Sequence, residues 1–322
     1  MSKPKVIISR KWPEQVEAQL KELYDVQLNE SDEAMTVEQM QDALRNCDAF
    51  CPTVTDPVNA AVLGADGITA KMIGSYGVGY NHIDLKAAET AGLTVSNTPE
   101  VLTDCTADIA MGLLLSAARR IGEGERHLRN GEWTGWRPTH MIATKVTGKT
   151  LGCIGFGRIA QAMAQRAHFG FGMKIIFSDP YPPSQEVMNH FGAVHMSAEE
   201  VLAQADFVSL HCPGGESTYH LINEERIKMM KPTAILVNSA RGDVVDNQAL
   251  ISALKNGTIA GAGLDVFEGE PKLDPGFLDC ENAVLLPHLG SASLETRIAM
   301  GERVLENLAA FFAGKTPRDK LV

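Results

Sequence analysis

Short apolar runs alternate with amphipathic helical stretches along the whole chain. The N-terminal part reads KVIIS, PEQVEAQLKELY, DVQLN, TVEQMQDALRNC and DAFCPTV, and closes with MIGSYGVGYNHID and LTVSNTP. Runs of this kind are typical of strands separated by helices, and their alternation indicates βαβ units with parallel sheets covered by helices on both faces. The pattern therefore predicts an α/β protein.

A predicted long helix, Thr103 to Asn130, interrupts this rhythm and leads into a turn-rich stretch. That stretch, GEWTGWRPTHMIATKVTGKT, carries two tryptophans and little periodicity, so it is not typical of a core element. Two interpretations remain open from these residues alone: a long surface loop, or an arm that contacts another subunit.

The alternation restarts at Lys149 and continues almost to the C-terminus. Seven apolar runs follow, KTLGCIGFG, MKIIFSDP, AVHM, DFVSLHCP, AILVNSA, GAGLDVF and AVLLPH. They are enough for a complete doubly wound sheet, so we expect the final helix, Leu294 to Phe312, to return to the first domain or to bridge the two. We predict two Rossmann-like, doubly wound parallel-sheet domains: a nucleotide-binding domain, residues 100–288, inserted into a smaller flavodoxin-like substrate domain, residues 1–99 and 289–322.

Length and composition agree with this division and exclude some partners. A chain of 322 residues is long for one core. Its formal net charge of −11 works against binding to nucleic acid or anionic membranes. The six cysteines form no CxxC pair, and neither a signal-peptide core nor an apolar run of bilayer length is present. We therefore expect a cytoplasmic protein with reduced thiols and without a metal site.

A glycine-rich turn follows the first strand of the second half. The segment GCIGFGRIAQAMAQRA places G-x-G-x-x-A at Gly155, Gly157 and Ala160, between an apolar strand and an amphipathic helix. Gly155 permits the tight turn, Gly157 lets the backbone approach a pyrophosphate, and a small residue at 160 lets the helix pack on the strand. The helix N-terminus attracts phosphates, and Arg158 adds positive charge.

An acidic residue strengthens the dinucleotide interpretation, because a glycine-rich turn alone also serves plain strand-helix packing. Asp179 ends the next strand, in IIFSDP, at the spacing expected for a carboxylate that binds the adenosine ribose hydroxyls. A carboxylate there repels a 2′-phosphate, so we predict NAD(H) in preference to NADP(H). The alternative is a turn residue before Pro180.

Candidate catalytic residues lie at the predicted carboxyl ends of three strands, where open α/β sheets place ligands. ILVNSARGDVVD contains Arg241, GAGLDVFEGEP contains Asp265 and Glu270, and LLPHLGSAS contains His288. Each has an ordinary structural explanation as a loop charge, a turn acid or a packed histidine. Together they meet the needs of carbonyl reduction, since a guanidinium binds a carboxylate, an imidazole donates a proton and a carboxylate orients the imidazole.

The chain resembles the D-isomer-specific 2-hydroxyacid dehydrogenases from near residue 1 to its end. The resemblance is carried by GFGRIAQAMAQRA, by ARGDVVD with AGLDVFEGEP, and by LPHLGSAS. It implies that Arg241 binds and polarises a 2-oxo acid, that His288 is the acid-base group and that Glu270 pairs with it. Ala160 replaces the glycine of many relatives.

The resemblance also implies further contacts. The loop YGVGYNHID presents the backbone N–H groups of Val78 and Gly79 to the substrate carboxylate, which implies an active site in the cleft between the domains. Ser291 and Trp136 are further predicted substrate contacts, and the GSAS segment is predicted to cap the last helix. The predicted cofactor contacts are Thr106, Gly155, Gly157, Arg158, Ile159, Asp179, Cys212, Pro213, Thr218, Ser239, Ala240, Asp265, His288 and Gly290.

Within the family, the segments SARRIGEGE, GEWTGWRPT and PHLGSAS are most similar to the enzymes that reduce hydroxypyruvate to D-glycerate and glyoxylate to glycolate. In that group the tryptophan-bearing arm crosses a dimer interface, which favours a homodimer through residues 120–148, with Trp136 rather than Trp133 near the substrate. The alternatives are a D-3-phosphoglycerate or D-lactate type of dehydrogenase, or an NAD(H)-sensing corepressor-like scaffold.

Overall fold

The computed structural model describes residues 2–322, so Met1, the first residue of the predicted substrate domain, lies outside the described residues. Contacts divide the chain into two compact units. Unit 1 contains the chain up to Leu102 together with Ala292–Val322, and unit 2 is Thr103–Ser291. The functional assignment of these units, and the domain boundaries predicted at 99/100 and 288/289, stay predictions.

Unit 1 is a five-stranded parallel sheet with helices. Its strands are β1 (Lys5–Ile8), β2 (Asp25–Gln27), β3 (Ala49–Cys51), β4 (Met72–Gly74) and β5 (Thr94–Ser96), in the order β2-β1-β3-β4-β5. Its helices are α1 (Glu14–Leu23), α2 (Val37–Arg45), α3 (Ala60–Leu63), α4 (Leu85–Thr90) and, at the C-terminal end of the chain, α12 (Leu294–Phe312). The last helix therefore belongs to unit 1, which is one of the two arrangements predicted for it.

Unit 2 is a seven-stranded parallel sheet. Its strands are β6 (Thr150–Ile154), β7 (Lys174–Ser178), β8 (Val194–His195), β9 (Phe207–Leu210), β10 (Ile235–Asn238), β11 (Gly261–Leu264) and β12 (Ala283–Leu285), in the order β12-β11-β10-β9-β6-β7-β8. Its helices are α5 (Thr103–Ala118), α6 (Ile121–Arg129), α7 (Arg158–Gln165), α8 (Gln185–Phe191), α9 (Ala198–Gln204), α10 (Glu224–Met229) and α11 (Asn247–Lys255). The predicted α/β class with two doubly wound sheets is confirmed.

Strand alternation explains how the larger sheet buries both faces. Cys153 and Phe177 pack in one apolar cluster with residues of α5 and α7, whereas Ile154 and Ile176 pack in another with residues of α9 and α11. Successive residues of a strand point to opposite faces, so continuous apolar strands are covered by helices on both sides. The polar groups that follow these strands are left at the carboxyl edge of the sheet.

The prediction of one continuous helix over 103–130 is wrong. The chain forms α5 and α6, separated at Arg119 and Arg120, and Arg120 has a φ of 52°, in the left-handed region. An α-helix cannot continue through a residue in that conformation. The side chain of Arg120 is instead held by Glu123 and by the carbonyl of Ile142, which ties the turn to the segment after α6.

Two further observations bear on the chemical setting of the chain. All six cysteines are free thiols, and four of them are buried. Within residues 2–322, no helix combines the length and the apolar character needed to cross a bilayer.

Candidate active site

The centre of the candidate site is a histidine-carboxylate pair, formed by His288 after β12 and Glu270 after β11. His288 Nδ1 lies 2.9 Å from Glu270 Oε1, and both side chains are about one-third exposed, at 31% and 29%. An ionised carboxylate only accepts hydrogen bonds, so Nδ1 is the donor and carries a proton. Nε2 is the ring nitrogen left to exchange a proton with a ligand.

The backbone around His288 is held in an uncommon conformation by Asp265. His288 has a φ of 54° and donates its backbone N–H to the carbonyl of Asp265. The buried Asp265 carboxylate accepts the next two backbone N–H groups, from Leu289 at 2.6 Å and from Gly290 at 2.7 Å. Thr106 of α5 donates its hydroxyl to the Gly290 carbonyl at 2.9 Å. Asp265 and Thr106, which sequence reasoning placed beside the cofactor, therefore also fix the loop that carries His288.

Burial shifts the pKa of Asp265 upward, and its backbone hydrogen bonds and the nearby His288 act in the opposite direction. A buried carboxylate that accepts two N–H groups is partly compensated for its lost hydration. Asp265 is thus a rigid anchor between the end of β11 and the turn after β12.

Arg241 lies in a turn directly after β10. The side chain of the buried Asn238 closes this turn, because its Nδ2 donates to the Arg241 carbonyl at 2.9 Å and its Oδ1 accepts from Ala240 N. Burial lowers the pKa of Arg241, and the Glu270 and Asp243 carboxylates counteract that effect. The guanidinium therefore lies within electrostatic range of the histidine-carboxylate pair.

Close packing also shapes the Arg241 turn. A Cβ at Gly214 would lie 2.5 Å from Asp243 Oδ1 and 3.0 Å from Arg241 Cβ, and Asp243 Oδ2 accepts the Gly215 N–H at 2.9 Å. Asn238 and Asp243 were missed by sequence reasoning. The sequence contained an indication of their role, because short polar side chains beside a strand end commonly form hydrogen bonds with the local backbone.

The glycine turn after β6 is shaped for close backbone approach. Gly155 has a φ of 85°, and a Cβ there would lie 2.8 Å from Cys212 N and from the carbonyl carbon of His211. A Cβ at Gly157 would meet no atom within 4 Å, so the space above this residue is open. Gly157 precedes α7, and no side chain caps that helix. Its first N–H groups are therefore available to an anion.

Asp179 lies beside this turn, at the end of β7. Its Oδ2 accepts the Phe156 N–H at 2.6 Å and its Oδ1 accepts the Tyr181 N–H at 2.7 Å. A carboxylate has about four acceptor positions, so two remain for ribose hydroxyls. The buried Ala160 packs in the apolar cluster beneath the turn, which leaves no need for glycine at that position.

The segment after β9 supports the glycine turn from the other side. His211 donates its backbone N–H to Ile154 O, and its ring nitrogen Nε2 lies 2.9 Å from Ser209 Oγ. Burial lowers the pKa of His211 to about 4, so the ring is neutral near pH 7. Thr218 donates its hydroxyl to the Pro213 carbonyl at 2.7 Å, which closes the loop that begins at Cys212.

The residues around the glycine turn of unit 2 fit a bound dinucleotide. The hydroxyl of the buried Ser239, next to Ala240 and Arg241, has no hydrogen-bond partner within residues 2–322. Such an orphaned group needs a partner, and a polar ligand would supply one. Together with the open space at Gly157 and the free acceptor positions of Asp179, this is the donor and acceptor set that NAD(H) requires. No group of His, Cys, Asp and Glu side chains in the described chain is arranged to hold a metal ion.

Not every predicted site residue lies in unit 2. Val78 and Gly79 belong to unit 1, in a loop where Asn97 Nδ2 donates to the Val78 carbonyl at 2.7 Å. Trp136 is 82% exposed and Trp133 54% exposed, both in the stretch after α6. Ser291 is the last residue of unit 2, and the cap predicted for the GSAS segment is made by Ser293, which accepts the Thr296 N–H.

Comparisons with known proteins find sequence similarity over nearly the whole length of the chain. Residues 111–290 match the family model described as D-isomer specific 2-hydroxyacid dehydrogenase, NAD binding domain. The chain is 46% identical over 320 residues to a glyoxylate reductase from Thermococcus litoralis, which covers 98% of this chain and 96% of that protein. It is 38% identical over 315 residues to a glycerate dehydrogenase from Hyphomicrobium methylovorum, with 98% of each chain covered.

A solved structure shows the same similarity in three dimensions. It is an NADPH-dependent glyoxylate/hydroxypyruvate reductase from Sinorhizobium meliloti in complex with NADP and malonate. The two chains superpose with a TM-score of 0.88 at 32% sequence identity, over 100% of this chain and 97% of that one.

Proposed function

Because the chain belongs to the D-isomer-specific 2-hydroxyacid dehydrogenases, we propose that it reduces a small 2-oxo acid with NADH to the D-2-hydroxy acid. The substrates we propose are hydroxypyruvate, which gives D-glycerate, and glyoxylate, which gives glycolate. The observation that carries this proposal is the 2.9 Å bond between His288 Nδ1 and Glu270 Oε1, which leaves Nε2 as the proposed proton donor. The Arg241 guanidinium lies within electrostatic range of the same Glu270 carboxylate. Support for the substrate class comes from the relatives named glyoxylate reductase and glycerate dehydrogenase.

In the proposed mechanism the chain binds, orients and protonates the substrate. Arg241 holds the substrate carboxylate through two parallel N–H donors and polarises the neighbouring carbonyl. The nicotinamide, when bound, supplies the hydride that the carbonyl carbon receives. His288 Nε2 donates its proton to the carbonyl oxygen as negative charge develops there, and Glu270 stabilises the imidazolium beforehand. The imidazole then regains a proton from solvent.

The residues proposed to hold NAD(H) are those around the glycine turn. The first N–H groups of α7, after Gly157, would face the pyrophosphate, with Arg158 adding positive charge. Asp179 would bind the ribose hydroxyls, and Ser239 would gain the hydrogen-bond partner that it otherwise lacks. The roles of Val78, Gly79, Ser291 and Trp136 in substrate binding stay predictions.

A steady-state comparison of substrates tests the proposed function. NADH oxidation is measured with glyoxylate, hydroxypyruvate, pyruvate and 3-phosphohydroxypyruvate, and we expect the highest kcat/KM with the first two. A clear preference for pyruvate or for the phosphorylated acid would move the chain to another branch of the family. NADH binding without turnover of any of the four would contradict a reductase and favour the scaffold alternative.

We also propose that NADH is preferred to NADPH, because Asp179 presents a carboxylate where NADP carries its 2′-phosphate. Asp179→Ala should lower kcat/KM with NADH by roughly tenfold and raise it with NADPH, since one set of charge-assisted hydrogen bonds is lost and one repulsion is removed. The ratio of the two kcat/KM values is the measurement. The matched control is Asp279→Ala, an exposed carboxylate of the same unit paired with Lys255. An unchanged ratio would remove Asp179 from this role.

A homodimer through residues 120–148 and a cytoplasmic location complete the proposal. The arm exposes large apolar side chains, with Leu128 at 59%, Trp136 at 82% and Ile142 at 69%. Such a concentration of exposed apolar area favours a protein contact. The free cysteines suit a reducing compartment.

A further inference from the structure

A second histidine, His220, lies in a loop that is fixed to the turn after Arg241. Its backbone N–H donates to the Asp243 carbonyl at 2.8 Å. Two residues later, Ile222 N donates to Val244 O at 2.9 Å, and Asp246 N donates back to Ile222 O at 3.0 Å. These bonds form a short parallel bridge, so the backbone that carries His220 is a fixed platform beside Arg241.

The side chain of His220 reaches from this platform to a third loop. Its Nε2 lies 3.0 Å from Glu268 Oε2, and its ring stacks on Tyr219 with centroids 3.9 Å apart and planes inclined by 14°. Tyr219 donates its hydroxyl to the other oxygen, Glu268 Oε1, at 3.0 Å. His220 has a φ of 46°, an uncommon conformation for a residue with a side chain, and it turns the ring toward Glu268.

Glu268 belongs to the loop that carries Glu270. On its other side this loop packs against the Arg241 turn, because a Cβ at Gly242 would overlap the backbone of Phe267 and Glu268. The Phe267 carbonyl accepts the Glu270 N–H at 3.3 Å. The loop is therefore held between Gly242 and the His220 platform, and its position determines where the Glu270 carboxylate is presented to His288.

We propose that His220, with Tyr219, is a positioning residue: by binding Glu268 it holds the Glu270 loop so that Oε1 stays against His288 Nδ1. This role rests on the proposed function, because its consequence is the proton donation assigned to His288. His220 touches neither substrate nor cofactor in this role. It acts through Glu268 on the residue that orients the acid.

His220 and His288 have different charged neighbours, and the experiment must distinguish an effect on one histidine from an effect on the other. His220 faces the Glu268 carboxylate, Asp246 Oδ2 at 3.9 Å from its Nδ1, and the Tyr219 hydroxyl. The bond to Glu268 raises the pKa of Tyr219, which therefore remains a donor. His288 faces Glu270 and lies near Asp265, and the Glu270 charge also reaches Arg241. Displacement of the Glu270 loop would therefore take the hydrogen-bond acceptor away from His288 Nδ1.

The test uses His220→Ala, Glu268→Ala and the double variant in the full chain. His220→Gln is the conservative variant, since its amide can replace Nε2 as a donor to Glu268. The matched control is Glu224→Ala, which breaks an exposed carboxylate pair with Lys228 in α10. Melting temperature and NADH binding by fluorescence verify folding in every variant.

The decisive readout is the NMR signal of the hydrogen-bonded Nδ1 proton of His288, measured at one fixed pH and assigned by its loss in His288→Asn. We expect this signal to move upfield or to disappear through exchange with water in both single variants, because the carboxylate that accepts the proton moves away. kcat for reduction should fall by roughly 10- to 100-fold, because a displacement of about 1 Å can cost about 10²-fold. The double variant should be no worse than either single variant, and His220→Gln should recover most of both effects.

An unchanged His288 Nδ1 proton signal in both single variants would overturn the proposal, even if their melting temperatures fall, because the residues would then act on stability alone. A double variant whose kcat loss is the product of the two single losses would also overturn it. This NMR measurement needs no substrate. If the wild-type chain turns over no 2-oxo acid, the proposed function fails, while the His288 Nδ1 proton signal still decides whether His220 positions the pair.

Discussion

His288→Ala is expected to lower kcat for 2-oxo acid reduction by about 10²- to 10⁴-fold, the range that a positioned general acid contributes. In the proposed mechanism the donated proton comes from Nε2, because Nδ1 is bonded to Glu270, and alanine has no ring nitrogen to carry that proton. The backbone of the loop should survive, because Asp265 holds it through the N–H groups of Leu289 and Gly290 rather than through the ring.

The binding of NADH distinguishes loss of chemistry from loss of structure. His288 is one of many predicted cofactor contacts, so the Kd for NADH, measured by fluorescence, should stay nearly unchanged in His288→Ala. The matched control is His190→Ala, which removes an exposed histidine of α8 that contacts Gln165 and should retain full activity. A variant at 288 that keeps more than about a tenth of the wild-type kcat would contradict the role of general acid.

The sequence predicted the elements of the fold well where the signal is local. Alternating apolar runs and helical periodicity located the twelve strands of residues 2–322 and the last helix, Leu294–Phe312. Each of these elements depends on residues near one another in the chain. The prediction of a long helix after Thr103 failed because the break between α5 and α6 depends on the left-handed backbone of Arg120. The side chain of Arg120 is held by Glu123 and by a carbonyl of the following segment. The apolar periodicity of the sequence does not change at this break.

The candidate site was predictable to a similar extent and for similar reasons. Motif chemistry indicated Arg241, Glu270 and His288, and in the structure Glu270 contacts His288 across 18 positions of the chain. It did not indicate that Asp265 anchors two backbone N–H groups beyond the histidine, or that His220 binds Glu268, 48 positions away. Such contacts arise when three strand ends meet at one edge, and they leave no periodic pattern in the sequence.

Arg241→Ala is expected to lower kcat/KM by about 10³-fold, because the bidentate contact with the substrate carboxylate and the polarisation of the carbonyl are lost together. The loss should appear in both KM and kcat, since the guanidinium binds the carboxylate of the ground state and stabilises the oxygen in the transition state. The turn itself should persist, because Asn238 holds the Arg241 backbone carbonyl and the Ala240 N–H.

Arg241→Lys separates charge from geometry at this position. Lysine keeps one positive charge but not the planar fork, so we expect only partial recovery, to within about 10- to 100-fold of the wild type. Burial already lowers the pKa of Arg241, and the same burial acts on a lysine that starts from a lower value, so the variant should lose activity more steeply than the wild type as pH rises. The control is Arg45→Lys, an exposed arginine of unit 1 that donates to the Asp66 carbonyl. Wild-type kcat/KM in Arg241→Lys at every pH would show that a point charge suffices and that the bidentate contact with the substrate carboxylate does not form.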